Sequence, residues 1–249
     1  MDEDRYSRQI LLKEIGPEGQ RRIGAGKAVV VGCGALGTHI SSLLVRAGVG
    51  RLTVVDHDTV HLSNLHRQTL FGENSVGKSK AEVAERLLSE INSETEIDGV
   101  VEKLTTDNAE GIIEGADVVV DATDNMLARF VLNDTCVKLG TAWIYGGAVA
   151  TSGMVFAVNP EGPCFRCLFP KLPPKDSLPT CDTIGIVNTL PSVVASFEVV
   201  EAIKILMGKE PTPELLVIDV WSEELQKIRV RRNPDCVSCG RREFYRYDE

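Results

Sequence analysis

Short apolar runs alternate with amphipathic stretches along the first two thirds of the chain. Lys27–Val31 is a β-branched run, followed at once by Gly32-Cys33-Gly34-Ala35-Leu36-Gly37 and a helical pattern to about Ala47. Arg51–Val55 is a second such run and ends at Asp56. A strand, a helix and a strand within about 30 residues make a βαβ unit. The alternation continues with a loop over 57–77, a helix over 78–91, a strand over 97–101 and a helix over 108–113. A strand over 117–120, a helix over 126–138 and a strand over 142–148 follow. This order predicts an open parallel sheet with helices on both faces. A strand over 153–158 comes after the short Ala150-Thr151-Ser152 turn and reads as antiparallel.

The ends depart from this rhythm. Residues 5–23 read as one or two short helices, interrupted near Gly16-Pro17. Residues 168–190 hold Pro170, Pro173, Pro174 and Pro179 together with Lys171, Lys175 and Asp176. A connection this long inside a compact domain is functional or disordered. A helix with an apolar stripe over 191–207 and two strands over 215–218 and 227–230 complete the pattern. The fold class is therefore α/β: a Rossmann-like open sheet with antiparallel strands added near its C-terminal end. One domain over 1–249 is expected. It comprises a helical arm (1–25), a nucleotide-binding core (27–160) and a closing region with the crossover loop (161–249).

Composition adds exclusions. The chain is 43% hydrophobic and 25% charged, as ordinary globular proteins are. No apolar run approaches the ~20 residues a membrane span needs, and the acidic start Met1-Asp2-Glu3-Asp4-Arg5 is no signal peptide. A net charge of -9 argues against a large basic nucleic-acid face. Seven cysteines, including two CxxC pairs, fit a reducing cytoplasm and a metal better than a disulfide scaffold. Cys33 and Cys136 sit in apolar patterns and read as small buried hydrophobes.

Three constellations carry chemistry. Cys164, Cys167, Cys236 and Cys239 form two CxxC turns far apart in the chain. Four thiolates suit tetrahedral zinc, and a filled site of this kind stabilises rather than catalyses. Gly32, Gly34 and Gly37 match GxGxxG between a strand and a helix. There the backbone can approach phosphates and the helix start supplies amide hydrogens. Asp56, about 20 residues further on, can accept the ribose hydroxyls. Arg67 and Lys80 lie downstream, where they could fold back over a triphosphate tail. Asp121 and Asp124 end a central strand, at the edge where such sheets bind ligands. Asp124 is the candidate Mg²⁺ ligand, with a helix N-cap as its competing role; for Asp121 the structural role weighs more.

These residues carry a resemblance. Arg5-Tyr6-Ser7-Arg8-Gln9-Ile10, the glycine loop, Asp56-His57-Asp58-Thr59-Val60, Ser63-Asn64-Leu65-His66-Arg67-Gln68 and Gly77-Lys78-Ser79-Lys80 are matching stretches. Asp121-Ala122-Thr123-Asp124-Asn125 and both CxxC pairs complete the set. The chain resembles the MoeB/ThiF/HesA adenylyltransferases, relatives of ubiquitin-activating enzymes. The resemblance implies ATP-dependent adenylation of the C-terminal glycine of a small ubiquitin-like protein ending in Gly-Gly, by a cytoplasmic homodimer. It implies that Asn64, Arg67 and Lys80 bind the triphosphate and that Asp58, Gln68 and Asn125 belong to the nucleotide site. It implies that Arg8 reaches the ATP of the neighbouring subunit. Cys181 matches the position of a cysteine implicated in thioester or acyl-disulfide chemistry, its alternative being a dispensable loop thiol. Ala35 departs from the family's usual inner glycine. With no rhodanese-like domain in this sequence, sulfur would come from a separate sulfurtransferase or cysteine desulfurase. The competing expectations are an ATP-dependent tRNA-modifying enzyme, an NAD-dependent oxidoreductase and a non-catalytic scaffold.

Overall fold

The computed structural model describes residues 3–174 and 177–247. Met1 and Asp2 of the acidic start, Lys175 and Asp176 of the proline-rich stretch, and 248–249 lie outside the described residues. Two helices open the chain, α1 (Glu3–Ile10) and α2 (Gly16–Ala25). Gly16-Pro17 starts the second helix rather than interrupting the first. Proline is tolerated in a first helical turn, where its missing N–H would have had no partner.

Then come β1 (Lys27–Val31), α3 (Ala35–Ala47), β2 (Arg51–Val55), α4 (Lys80–Ser89) and β3 (Glu96–Val100). They are followed by α5 (Ala109–Ile113), β4 (Val118–Asp121), α6 (Met126–Leu139), β5 (Ala142–Val149) and β6 (Ser152–Val158). A short helix, α7 (Phe165–Leu168), leads into the stretch expected to be a long irregular connection, and α8 (Cys181–Ile184) lies within it. The last elements are α9 (Leu190–Leu206), β7 (Glu214–Asp219) and β8 (Glu224–Arg229). β8 starts earlier than its apolar residues suggest. It is an edge strand, exposed along its whole length, so it shows no buried alternation.

Among the described residues the sheet order is β3-β2-β1-β4-β5-β6-β7-β8. Pairing is parallel from β3 to β5 and antiparallel from β5 to β8. The chain leaves β3 at the edge and re-enters as β4 on the far side of β1. The β1–β4 seam is thus a topological switch point, and its crevice opens outside the carboxyl ends of these strands.

Strand alternation divides the core in two. Ala28 and Val30 of β1 join Leu52, Val54, Val118 and Val120 on one face, under Ile40 and Leu44 of α3, Leu88 of α4 and Val194 of α9. Val29 and Val31 face the other way with Val119, Trp143 and Phe156, against Ile113 of α5 and Phe130 and Leu132 of α6. Each such aliphatic burial contributes about 1.5–3 kcal/mol. Gly48 ends α3 in the left-handed region (φ 86°). A Cβ there would meet the Tyr6 ring at 2.5 Å, and the Tyr6 hydroxyl accepts from Asn92 Nδ2 at 2.8 Å. These contacts seat α1 at the amino-terminal edge of the strands, opposite the crevice.

Candidate active site

The crevice is assembled from four turns. In the first, between β1 and α3, Gly32 has φ 97° and a Cβ there would collide with the Ala122 carbonyl of the β4 turn. A Cβ on Gly37 would collide with the Gly32 carbonyl. Gly34 differs. A Cβ there would have Gln68 Nε2 as its nearest neighbour, at 3.7 Å. Packing does not require this glycine, and its bareness leaves the first amides of α3 approachable. Gly34 is the N-cap residue of α3 and Ala35 its first helical residue.

The second turn follows β2. Buried Asp56 accepts from Cys33 N at 2.6 Å and from Asp58 N at 2.8 Å. A carboxylate has about four lone-pair sites, so the brace on the glycine loop leaves capacity for two hydroxyl donors. Lys80, the first residue of α4, is 6% exposed and donates from Nζ to Asp58 Oδ2 at 3.0 Å. Burial raises the Asp58 carboxyl, but the Lys80 hydrogen bond and charge, with smaller help from His57 and His61, hold it below its ordinary value. Burial and then Asp56 push the Cys33 thiol up while Lys80 pulls it down.

The third turn spans 62–68. Arg67 Nη1 donates to Ser63 O at 3.0 Å and lies 2.9 Å from His66 Nε2. Asn64 Oδ1 accepts from His61 N at 3.1 Å. Gln68 is 3% exposed, and its Oε1 has no hydrogen-bond partner among the described residues. A buried acceptor left unpaired costs about 1–3 kcal/mol. An orphan oxygen on the side chain that faces the bare Gly34 fits a ligand that brings donors, as a nucleotide does.

The fourth turn follows β4. Asp121 is fully buried; its Oδ1 accepts from Thr123 N at 2.9 Å and Thr123 Oγ1 at 2.6 Å, and its Oδ2 from Arg129 Nε at 3.0 Å. Arg129 also donates to Thr123 O at 2.8 Å and Gly146 O at 3.2 Å, and lies 5.1 Å from the Tyr145 ring centroid. Burial raises the Asp121 carboxyl and the Arg129 charge opposes it. Asp121 is thus a brace. Asn125, placed by resemblance in the nucleotide site, caps α6 by accepting from Ala128 N at 2.9 Å. Asp124 is exposed, with Asn125 Nδ2 3.3 Å from its Oδ1. The cap is filled by its neighbour, and the Asp124 carboxylate is open to a cation.

Cys181 is half-buried at the start of α8, with Sγ 3.5 Å from Ala148 O. Burial pushes its thiol up, Arg67 pulls it down, and Asp182 and Asp124 add to the rise. Ala148 is near the carboxyl end of β5, so the thiol lies on the crevice edge of the sheet. Arg8 does not: it is exposed on α1, at the opposite edge of the sheet.

Two groups escaped sequence reasoning. Arg129 is one. Glu198 of α9 is the other: it is fully buried, and both carboxyl oxygens lack a partner among the described residues. A Cβ on Gly146 would overlap its carboxyl group. Burial, then Asp121, raise Glu198 well above the carboxylate range, against the pull of Arg129. The available signal was an acid set between Phe197 and the Val199-Val200 pair, in a helix rich in apolar residues.

On the other face, the four CxxC sulfurs lie within 4.8 Å of one another. Cys164 and Cys236 Sγ are 3.6 Å apart, Cys167 and Cys239 Sγ 3.5 Å, and all four are free thiols. Sulfurs at the corners of a tetrahedron with Zn–S of about 2.3 Å would be roughly 3.8 Å apart. Donor type, number and spacing all fit zinc. Among the described residues, no helix is long and apolar enough to cross a membrane.

Known proteins are similar to this chain in sequence and in fold. The ThiF family model matches residues 6–238. The sulfur carrier protein adenylyltransferase of Thermus thermophilus is 42% identical over 95% of this chain and 90% of that protein. The sulfur carrier protein ThiS adenylyltransferase of Bacillus subtilis is also 42% identical, over 96% of this chain and 72% of its own length. A crystal structure of E. coli MccB with ATP superposes with a TM-score of 0.83 at 25% identity, covering 95% of this chain and 74% of that one. With a glycine loop, a paired lysine and an open aspartate gathered at the switch point, and with matches of this length and identity, the chain belongs to the ThiF family and is an adenylyltransferase.

Proposed function

We propose that this chain adenylates the C-terminal glycine carboxylate of a small ubiquitin-like sulfur-carrier protein ending in Gly-Gly, ahead of thiocarboxylate formation or conjugation. The names of the Thermus and Bacillus relatives support this substrate class, and the MccB structure with ATP supports the nucleotide. The observation that carries the proposal is the turn after β4, where Asn125 caps α6 and Asp124 stays open beside the crevice.

The carrier's terminal carboxylate has a pKa of about 3.5 and is ionised at neutral pH, so no general base is required. One carboxylate oxygen attacks the α-phosphorus, the α–β anhydride bond breaks, and pyrophosphate leaves. The obstacle is repulsion between anions. Arg67 and Lys80 offset it, with the bare Gly34 and the first amides of α3 lining the phosphate path. Asp56 holds the ribose hydroxyls with its remaining lone pairs, and Asn64 and Gln68 contribute polar contacts. Asp124 would hold Mg²⁺, which when bound neutralises phosphate charge. Arg8 serves a second protomer, because its own crevice lies at the other edge of the sheet; the working unit is then a homodimer. The Cys181 thiolate would displace AMP from the acyl adenylate to give a thioester; burial works against that thiolate and Arg67 only partly offsets it. Sulfur would come from a separate sulfurtransferase or cysteine desulfurase. A thiol-rich zinc centre suits a reducing cytoplasm.

The test is ATP–pyrophosphate exchange with a candidate carrier. Exchange should depend on the carrier and vanish when its terminal glycine is removed. Exchange driven by tRNA instead, or indifferent to the terminal glycine, would refute the substrate assignment.

A further inference from the structure

Helix α6 carries two bracing groups on one face. Arg129 holds the β4 turn, and Asn133, one helical turn later, holds the four-cysteine centre. Asn133 is fully buried. Its Oδ1 accepts from Phe165 N at 2.9 Å, inside the first CxxC turn. Its Nδ2 donates to Ser238 Oγ at 3.0 Å, inside the second, and to Asp134 Oδ1 at 3.0 Å. Asp134 Oδ2 in turn accepts from Arg166 Nη1 at 3.0 Å and from the Tyr247 hydroxyl at 2.7 Å. One carboxamide therefore joins two turns that stand 72 residues apart in the chain, through residues that are not themselves metal ligands.

We propose that Asn133 is the positioning residue of the four-cysteine metal centre. Four thiols do not gather by themselves, and as thiolates they repel. An amide bonded to both turns fixes the distance between the two cysteine pairs before a metal arrives, so binding does not have to order them. Groups of this kind, one shell out from the ligands, typically change metal affinity 10- to 100-fold when removed. The proposal rests on the centre holding zinc and is independent of the adenylation chemistry.

The experiment uses the full chain, zinc as the probe and a chromophoric chelator as competitor, with Asn133→Ala and Ser238→Ala. Asn133→Ala should weaken zinc 10- to 100-fold, and Ser238→Ala less, since the Phe165 bond survives. Adding Ser238→Ala to Asn133→Ala should change little, because its partner is already gone. The rise in melting temperature on adding zinc should shrink in Asn133→Ala. Zinc affinity equal to wild type in both variants overturns the proposal, as does an equal loss of stability with and without zinc. Should Asn133→Ala fail to fold, Ser238→Ala decides: weakened zinc supports the role and unchanged zinc ends it. A wild-type chain that takes up no zinc ends it as well, and leaves adenylation to its own test.

Discussion

The two regions braced by α6 are finished to different degrees. At the four-cysteine centre the Asn133 amide is buried and makes three hydrogen bonds. In the crevice Gln68 Oε1 is buried without a partner among the described residues, Asp124 is exposed, and Gly34 leaves room. The Asn133 amide is saturated within the fold, whereas Gln68 and Asp124 keep hydrogen-bonding capacity that a ligand could fill. Mutations at the first kind should register in stability, and at the second in activity.

Removing metal with a chelator should have the largest effect. Structural zinc in small domains contributes about 10–16 kcal/mol of apparent binding energy. A melting temperature unmoved by chelation would remove the centre from the stabilising side of the contrast. Next is Arg129→Ala, which leaves Asp121 buried without its counter-charge. Breaking such a pair costs about 3–5 kcal/mol, measurable by denaturant unfolding. A loss below about 1 kcal/mol would mean that Asp121 is not a brace.

Glu198 makes the contrast depend on pH. Its native pKa is raised, so above the unfolded value of about 4.3 the native state binds the extra proton. Stability from this group is present in full at lower pH and falls by about 1.4 kcal/mol per pH unit between the unfolded and native pKa values. Glu198→Gln removes the ionisation, so its melting temperature should exceed wild type at pH 7 and converge with it near pH 4. Parallel pH profiles would show that Glu198 is not held protonated by burial beside Asp121, Arg129 and Tyr145. The smallest effect belongs to Asn125→Ala, which deletes a cap at a cost of about 0.5–2 kcal/mol. Exchange activity should survive it; loss of activity without loss of stability would make Asn125 a ligand-binding residue.

The sheet was readable because β-branched runs and a glycine loop recur at the spacing of βαβ units, and because two CxxC turns admit few uses. The edge strand β8 was not, since Glu224–Arg229 buries nothing and shows no alternation. The break between α1 and α2 was misplaced because Gly16-Pro17 reads as a breaker and acts as a helix start. In the site, Asp124 and Asn125 are both good caps by residue type, and only geometry separates the filled cap from the open carboxylate. Arg129 and Glu198 look like ordinary helix charges in sequence. Their importance comes from Asp121 and Gly146, residues on other elements that only the folded sheet brings against them.

The most direct measurement is ATP–pyrophosphate exchange by Asp124→Ala, run beside its thermal melt. An open Asp124 predicts a melting temperature at the wild-type value and exchange down by at least ~10²-fold. Full exchange in a folded Asp124→Ala protein would contradict the assignment of this carboxylate to the nucleotide.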